Sequence, residues 1–179
     1  SLQNAADLTT AIDNYVKLYG MYKLSMVVDA QGLVVAVNSV DAKGKPIDSS
    51  YLIGKNFSNE PWFIDAREGR FTSSKSLSGT VISEAMRDED VKKAASHNDL
   101  VVGYSAPIFS KKQEFIGVWR CVDAGGGTKK ANMLMMSTLM FGTSEKGGMS
   151  IQARKQAPAV HRHVTDACDE LHAALTTQP

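Results

Sequence analysis

Apolar positions change their spacing several times along the chain, and each change predicts an element. In LTTAIDNYVKLYG, Leu8, Ile12, Tyr15, Val16 and Tyr19 recur at helical intervals. One face of an amphipathic helix is therefore apolar and packs on a neighbour. Thr9 or Thr10 stands near its predicted start, and Gly20 is a natural stop. In LSMVVDAQGLVVAVNS two β-branched runs flank Asp29, Ala30, Gln31 and Gly32. The glycine supplies the positive φ of a tight β-hairpin. A polar loop, DAKGKPIDSS, follows. NEPWFIDAREG then predicts a short helix, with Pro61 in its first turn, Asn59 or Ser58 as cap and Gly69 at its end.

FTSSKSLSGTVIS alternates small polar with apolar residues and is weakly strand-like, and EAMRDEDVKKAASHND reads as a short helix or a solvated loop. LVVGYSAPIF and EFIGVWRCVD are two strong strands separated by residues 110–113, a second hairpin. The economical solution for residues 24–123 is α+β: an antiparallel sheet of about five strands, with the helices on one face. After Asp123 the composition changes. AGGGTKK is a flexible joint, a Met-rich run follows, and Val160, Val164, Ala167, Leu171 and Leu175 mark the seam of a last helix. The chain thus divides into a domain over 1–123 and a linker, Met-rich segment and C-terminal helix over 124–179.

Length and charge narrow the function classes. The 179 residues bury a real core without staples. Twenty basic and 19 acidic residues leave a formal charge of +1, which argues against a nucleic-acid partner, whose binding needs a basic surplus on one face. Two cysteines, Cys121 and Cys168, make neither a disulfide framework nor a zinc site. Cys121 sits in an apolar run and reads as an inert buried thiol. NMLMMSTLMF is too short to span a bilayer.

The ordered set VVDAQGLVVAVN, LIGKNFSNEPWF, SLSGTV, VVGYSAPIF and FIGVWRCVD resembles an extracytoplasmic Cache sensor domain, the PAS-like module of bacterial chemoreceptors and sensor kinases. The resemblance covers residues 6–123. It implies a helix leading from the membrane to the sheet, and a ligand pocket between that sheet and a lid bearing the Trp62–Phe63 step. It also implies a periplasmic module of a membrane-anchored parent protein, with a role in signal transduction such as chemotaxis. Amino-acid-binding relatives in this family carry an Arg two positions before the lid Trp, where this chain has Glu60. They also carry an Asp on the last strand, at a place that falls near Val122 here, with Asp123 one step off. The amino-acid specificity is therefore not carried over.

Arg120 is the leading candidate for chemistry. Strand alternation puts Val118, Arg120 and Val122 on one face. A guanidinium among apolar neighbours is costly unless paired, and its planar fork fits a carboxylate. It is an anion anchor, the partner of an internal acid such as Asp29 or Asp65, or a residue of an edge strand with its head in water. Tyr104 would donate to a ligand oxygen or to a structural partner. Trp62 and Phe63 form the lid or plain core. Ser76 and Ser78 line a polar wall or face solvent, and Arg67 and Lys75 add positive charge or are solvated. Convergence of these groups predicts a small organic acid ligand, a carboxylate such as acetate, pyruvate or lactate.

Catalysis is not expected. No nucleophile elbow, phosphate loop or HExxH occurs, and His97 is the only histidine before the tail. In the tail, His161, His163 and His172 lack a ligand spacing, and neither a metal nor another cofactor is expected. The competing reading is a PAS-like domain that only dimerises, with the Met-rich tail meeting a protein partner.

Overall fold

The computed structural model describes residues 2–72, 79–110 and 112–124. The joint, the Met-rich run and the seam helix predicted after Asp123, together with Cys168 and the three tail histidines, lie outside the described residues.

Helix α1 spans Leu2–Tyr19, and strands β1 (Tyr22–Asp29) and β2 (Val34–Val37) follow. The helix begins well before Thr9 and Thr10 and ends as predicted at Gly20, whose φ of +71° no other residue tolerates as well. The β1–β2 hairpin turns on Asp29. Its Oδ1 accepts the N–H groups of Gln31 and Leu33, each at 2.9 Å, and Gly32 takes φ +89°. The long crossover then carries a single 3₁₀ turn (Ser50–Leu52) and helix α2 (Pro61–Arg67). Pro61 opens α2 as expected, but the cap is Glu60, with no side-chain bond, rather than Asn59 or Ser58. Asn56 explains the difference: its Oδ1 accepts the Ser58 N–H, so the chain is still turning there.

Strand β3 is only Val81–Ile82, helix α3 is Glu89–Ala95, and β4 (Val102–Phe109) and β5 (Phe115–Asp123) complete the fold. Asp88 caps α3 through one carboxylate oxygen that accepts the N–H groups of Asp90 and Val91.

The five strands form one sheet in the order β2-β1-β5-β4-β3, and every pairing is antiparallel. The last strand in sequence is thus the central one. This is an α+β, PAS-like architecture. Helices cover both faces of the sheet rather than one. Leu8, Ile12, Tyr15 and Val16 of α1 pack with Val27, Tyr104, Trp119 and Cys121 on the first face. Leu52, Trp62, Phe63, Ala66, Val91 and Ala94 pack with Met26, Val118 and Val122 on the second. The central strands are apolar on both sides, so a single helical layer would leave half of that surface in water.

The first face also holds a buried polar knot. Trp119 Nε1–H donates to Ser25 Oγ at 2.9 Å, and Ser25 Oγ lies 3.2 Å from Cys121 Sγ. Asp13 of α1 ties the helix to the end of β2, accepting from the Ser39 backbone N–H (2.7 Å) and hydroxyl (2.6 Å).

A Cβ at Gly32 would stand 2.6 Å from the Ser58 backbone nitrogen, just ahead of α2. Gly32→Ala therefore meets both a positive φ and an immovable neighbour, and it should lower stability by roughly 2 kcal/mol or more. Urea unfolding would show this as a lower midpoint at an unchanged slope; an unaltered midpoint would contradict the packing described.

Candidate functional site

The second face of β5 presents Val118, Arg120 and Val122, as strand alternation predicts. Between its two apolar neighbours, Arg120 is 2% exposed. Antiparallel register places it opposite Met26 on β1 and Ser105 on β4. Three groups hold the guanidinium. Nη1 donates to Ser105 Oγ at 3.1 Å, the Trp62 ring lies with its centroid 4.6 Å from Cζ, and the β4 backbone runs against the guanidinium at Gly103. A Cβ at Gly103 would stand 2.6 Å from Nη1 and Nη2, so the glycine is what leaves room for the cation. Gly103 is fixed in turn by Ser83, whose Oγ accepts the Gly103 N–H at 2.8 Å.

The cation is poorly compensated. Among the described residues no carboxylate lies at ion-pair distance from Arg120. Asp29 is committed to its hairpin and Asp65 to Arg70, so neither internal acid suggested by the sequence is the partner. Desolvation pulls the Arg120 pKa down to about 10, against the opposing fields of Asp88, Glu60, Cys121 and Asp90. The group is still protonated at neutral pH. Because the folded pKa is below the unfolded one, burying the charge opposes folding below pH 10. That penalty is relieved only as pH rises through the folded and then the unfolded pKa. A guanidinium has five N–H donors, and Ser105 takes one of them.

The other predicted site residues divide sharply. Trp62, 8% exposed, covers Arg120, while Phe63, fully buried, plugs the core between Trp62 and Phe115 at centroid distances of 6.0 and 6.3 Å. The side-by-side aromatics therefore have different jobs. Tyr104 does not join the arrangement: it pairs with Cys121 across β4–β5 and packs on the α1 face, opposite Arg120. Arg67 is turned outward, over the Phe63 ring at 5.7 Å and 3.7 Å from Glu68, and does not reach Arg120. Lys75, Ser76 and Ser78 lie outside the described residues. Asp123 is buried on the α1 side, beside Tyr22, as its one-residue offset from Val122 requires.

Sequence reasoning passed over Ser105 and Gly103. Both stand in VVGYSAP, and the signal that finds them is register: residues opposite an even-numbered β5 position share its face. Cys121 has no nucleophilic character. Burial pushes its thiol up to about 12, and no histidine of the described residues adjoins it.

Substitutions and thiol labelling test this geometry. Gly103→Ala should cost about 1–3 kcal/mol, because the new methyl displaces the guanidinium from under Trp62. In an Arg120→Met background the same change should cost little, giving a coupling energy above about 1 kcal/mol in a double-mutant cycle. Arg120→Met alone should leave stability level or raise it, since a desolvated charge is removed. In a Cys168→Ser protein, Cys121 should resist an aromatic disulfide reagent at pH 8 and react fully only in denaturant; fast labelling of the native protein would contradict its burial.

No family model matches the chain, and no curated protein is similar to it. Among solved structures it is similar to an extracellular ligand binding receptor from Desulfohalobium retbaense DSM5692, at 15% identity over 92% of this chain and 31% of that one, with a TM-score of 0.39. The E. coli DhaR(N)-DhaL complex matches at 12% identity over 98% of this chain and 51% of that one, with a TM-score of 0.43. An IcIR transcriptional regulator from Alicyclobacillus acidocaldarius matches at 9% identity, 93% and 67% coverage and a TM-score of 0.40. The chain therefore spans about a third of the first of these structures and about half of the second. These likenesses are distant, and the fold assignment stands on the sheet order and register.

Proposed function

We propose that this domain is the ligand-binding sensor module of a bacterial signal-transduction protein, and that it recognises a small organic anion, a carboxylate, at Arg120. One observation carries the reading: a fully desolvated guanidinium with a single described hydrogen bond and no described counter-ion. Buried charges are ordinarily paired, and a bidentate carboxylate would satisfy two more donors at once. The aromatic cover supplied by Trp62 and Phe57, whose centroids are 5.5 Å apart, suits a small ligand with an apolar end. The resemblance of its ordered motifs to Cache domains supports an extracytoplasmic position in a membrane-anchored parent. No helix among the described residues is long and apolar enough to cross a bilayer. Catalysis is no part of the proposal, since the buried thiol has no base beside it.

A second reading has one observation in its favour. Arg120 is already covered, and a closed, side-chain-filled face is what a PAS-like domain that only dimerises would show.

A thermal-shift panel of acetate, pyruvate, lactate and amino acids separates the two. The sensor reading expects one acid class to raise the melting temperature, with about 2.7 kcal/mol of added stability at 100 times its dissociation constant. The shift should vanish in the folded Arg120→Met variant. If no compound moves the melting temperature, and sedimentation shows a dimer that is lost on deleting residues 128–179, the dimerisation reading replaces it.

A further inference from the structure

The lid is attached to the domain in an uneven way. Its flanks are hydrogen-bonded: Phe57 N–H donates to Gly32 O at 2.7 Å before α2, and Thr72 N–H donates to Thr80 O at 2.9 Å after it. Thr72 Oγ1 also accepts the Ile82 N–H at 2.9 Å. Between these two points, among the described residues, no hydrogen bond or ion pair joins α2 to the sheet. The ion pairs of Arg67, Arg70, Asp65 and Glu68 stay within the lid and its C-terminal turn. Contact with the sheet is made by Trp62 on Arg120, Phe63 on Phe115 and the buried Ala66.

A segment pinned at both ends and resting on apolar and cation–π contacts lifts without losing a directional bond. Its seven-residue helix is too short to hold itself rigid against the sheet. Trp62 meanwhile occupies the ground above the guanidinium that an incoming anion would have to cross, leaving Arg120 2% exposed.

We propose that α2 is a hinged flap with Trp62 as its latch: the indole is an intramolecular occupant of Arg120, and an anion binds by displacing it. The inference rests on the anion reading of Arg120 and adds a mechanism of access to it. A site that is open only part of the time binds more weakly by the fraction open. The latch therefore sets the threshold concentration for response, and the swing of α2 is the movement that binding produces.

The test uses acetate, pyruvate and lactate with the full chain. Trp62→Leu removes the latch, so the acid that binds in an Arg120-dependent way should bind roughly 3- to 30-fold more tightly, the range spanned by cation–π contacts from exposed to desolvated sites. In a Trp119→Phe protein Trp62 is the sole remaining tryptophan. There the same acid should red-shift its emission and increase quenching by acrylamide. The emission experiment decides alone if Trp62→Leu does not fold. Weaker or unchanged binding in Trp62→Leu, or protection of Trp62 from acrylamide on binding, overturns the latch while leaving the anion site standing. If none of the three acids binds either protein, the anion reading falls and the latch falls with it.

Discussion

The second face of the sheet is organised around a buried charge that has no counter-ion among the described residues. Arg120 sits at the middle of the central strand, between Val118 and Val122 on its face and with Ser105 as the one polar group bonded to it among the described residues, and it is 2% exposed. Three otherwise unrelated features follow from accommodating it: a glycine at 103 where β4 passes, a serine at 105 to accept one N–H, and an indole at 62 to face the cation. Charge burial on this scale, on the order of 3 kcal/mol by the pKa displacement, opposes folding, and an apolar residue would serve packing better. The expense is intelligible if the cation's remaining donors have a use.

Because β5 is central, what happens on one face is close to the other. Trp119 and Cys121 flank Arg120 in sequence and point the opposite way, into the knot with Ser25 and into the α1 layer. Trp119 packs against Tyr15 of α1 in a tilted arrangement, 4.7 Å between centroids. The guanidinium and the N-terminal helix are thus separated by the thickness of one strand. A shift of that strand on binding would be felt by α1 directly, without passing through a loop.

Much of this was legible in the sequence, and the rest was hidden for identifiable reasons. Helical spacing found α1, and the Asp29–Gly32 turn found the first hairpin. The alternation Val118, Arg120, Val122 found the face of the key residue, because these are local signals. The second helical layer was missed because a continuous apolar run does not say how many faces are covered. Tyr104 was assigned to the site on chemistry alone, although pairing with Cys121 puts it on the far side. Gly103 and Ser105, which do contact Arg120, are small and uncharged; their importance is positional and appears only once β4 is set beside β5. Asp29 and Asp65 are engaged locally, one in its own turn and the other with Arg70, so neither is available to Arg120.

The brevity of β3 leaves a final consequence. It pairs only with Tyr104 and Ser105, so the second half of β4 forms a border of the sheet among the described residues. Such a border invites another polypeptide to add on as an extra strand, and so to aggregate. Gly103 turns both its N–H and its carbonyl toward Ser83, away from β5. Residues two and four further on, Ser105 and Pro107, turn theirs the same way. The proline therefore places its missing donor on the open margin, where the ladder to β5 does not need it, and deprives an intruding chain of a bond it would require.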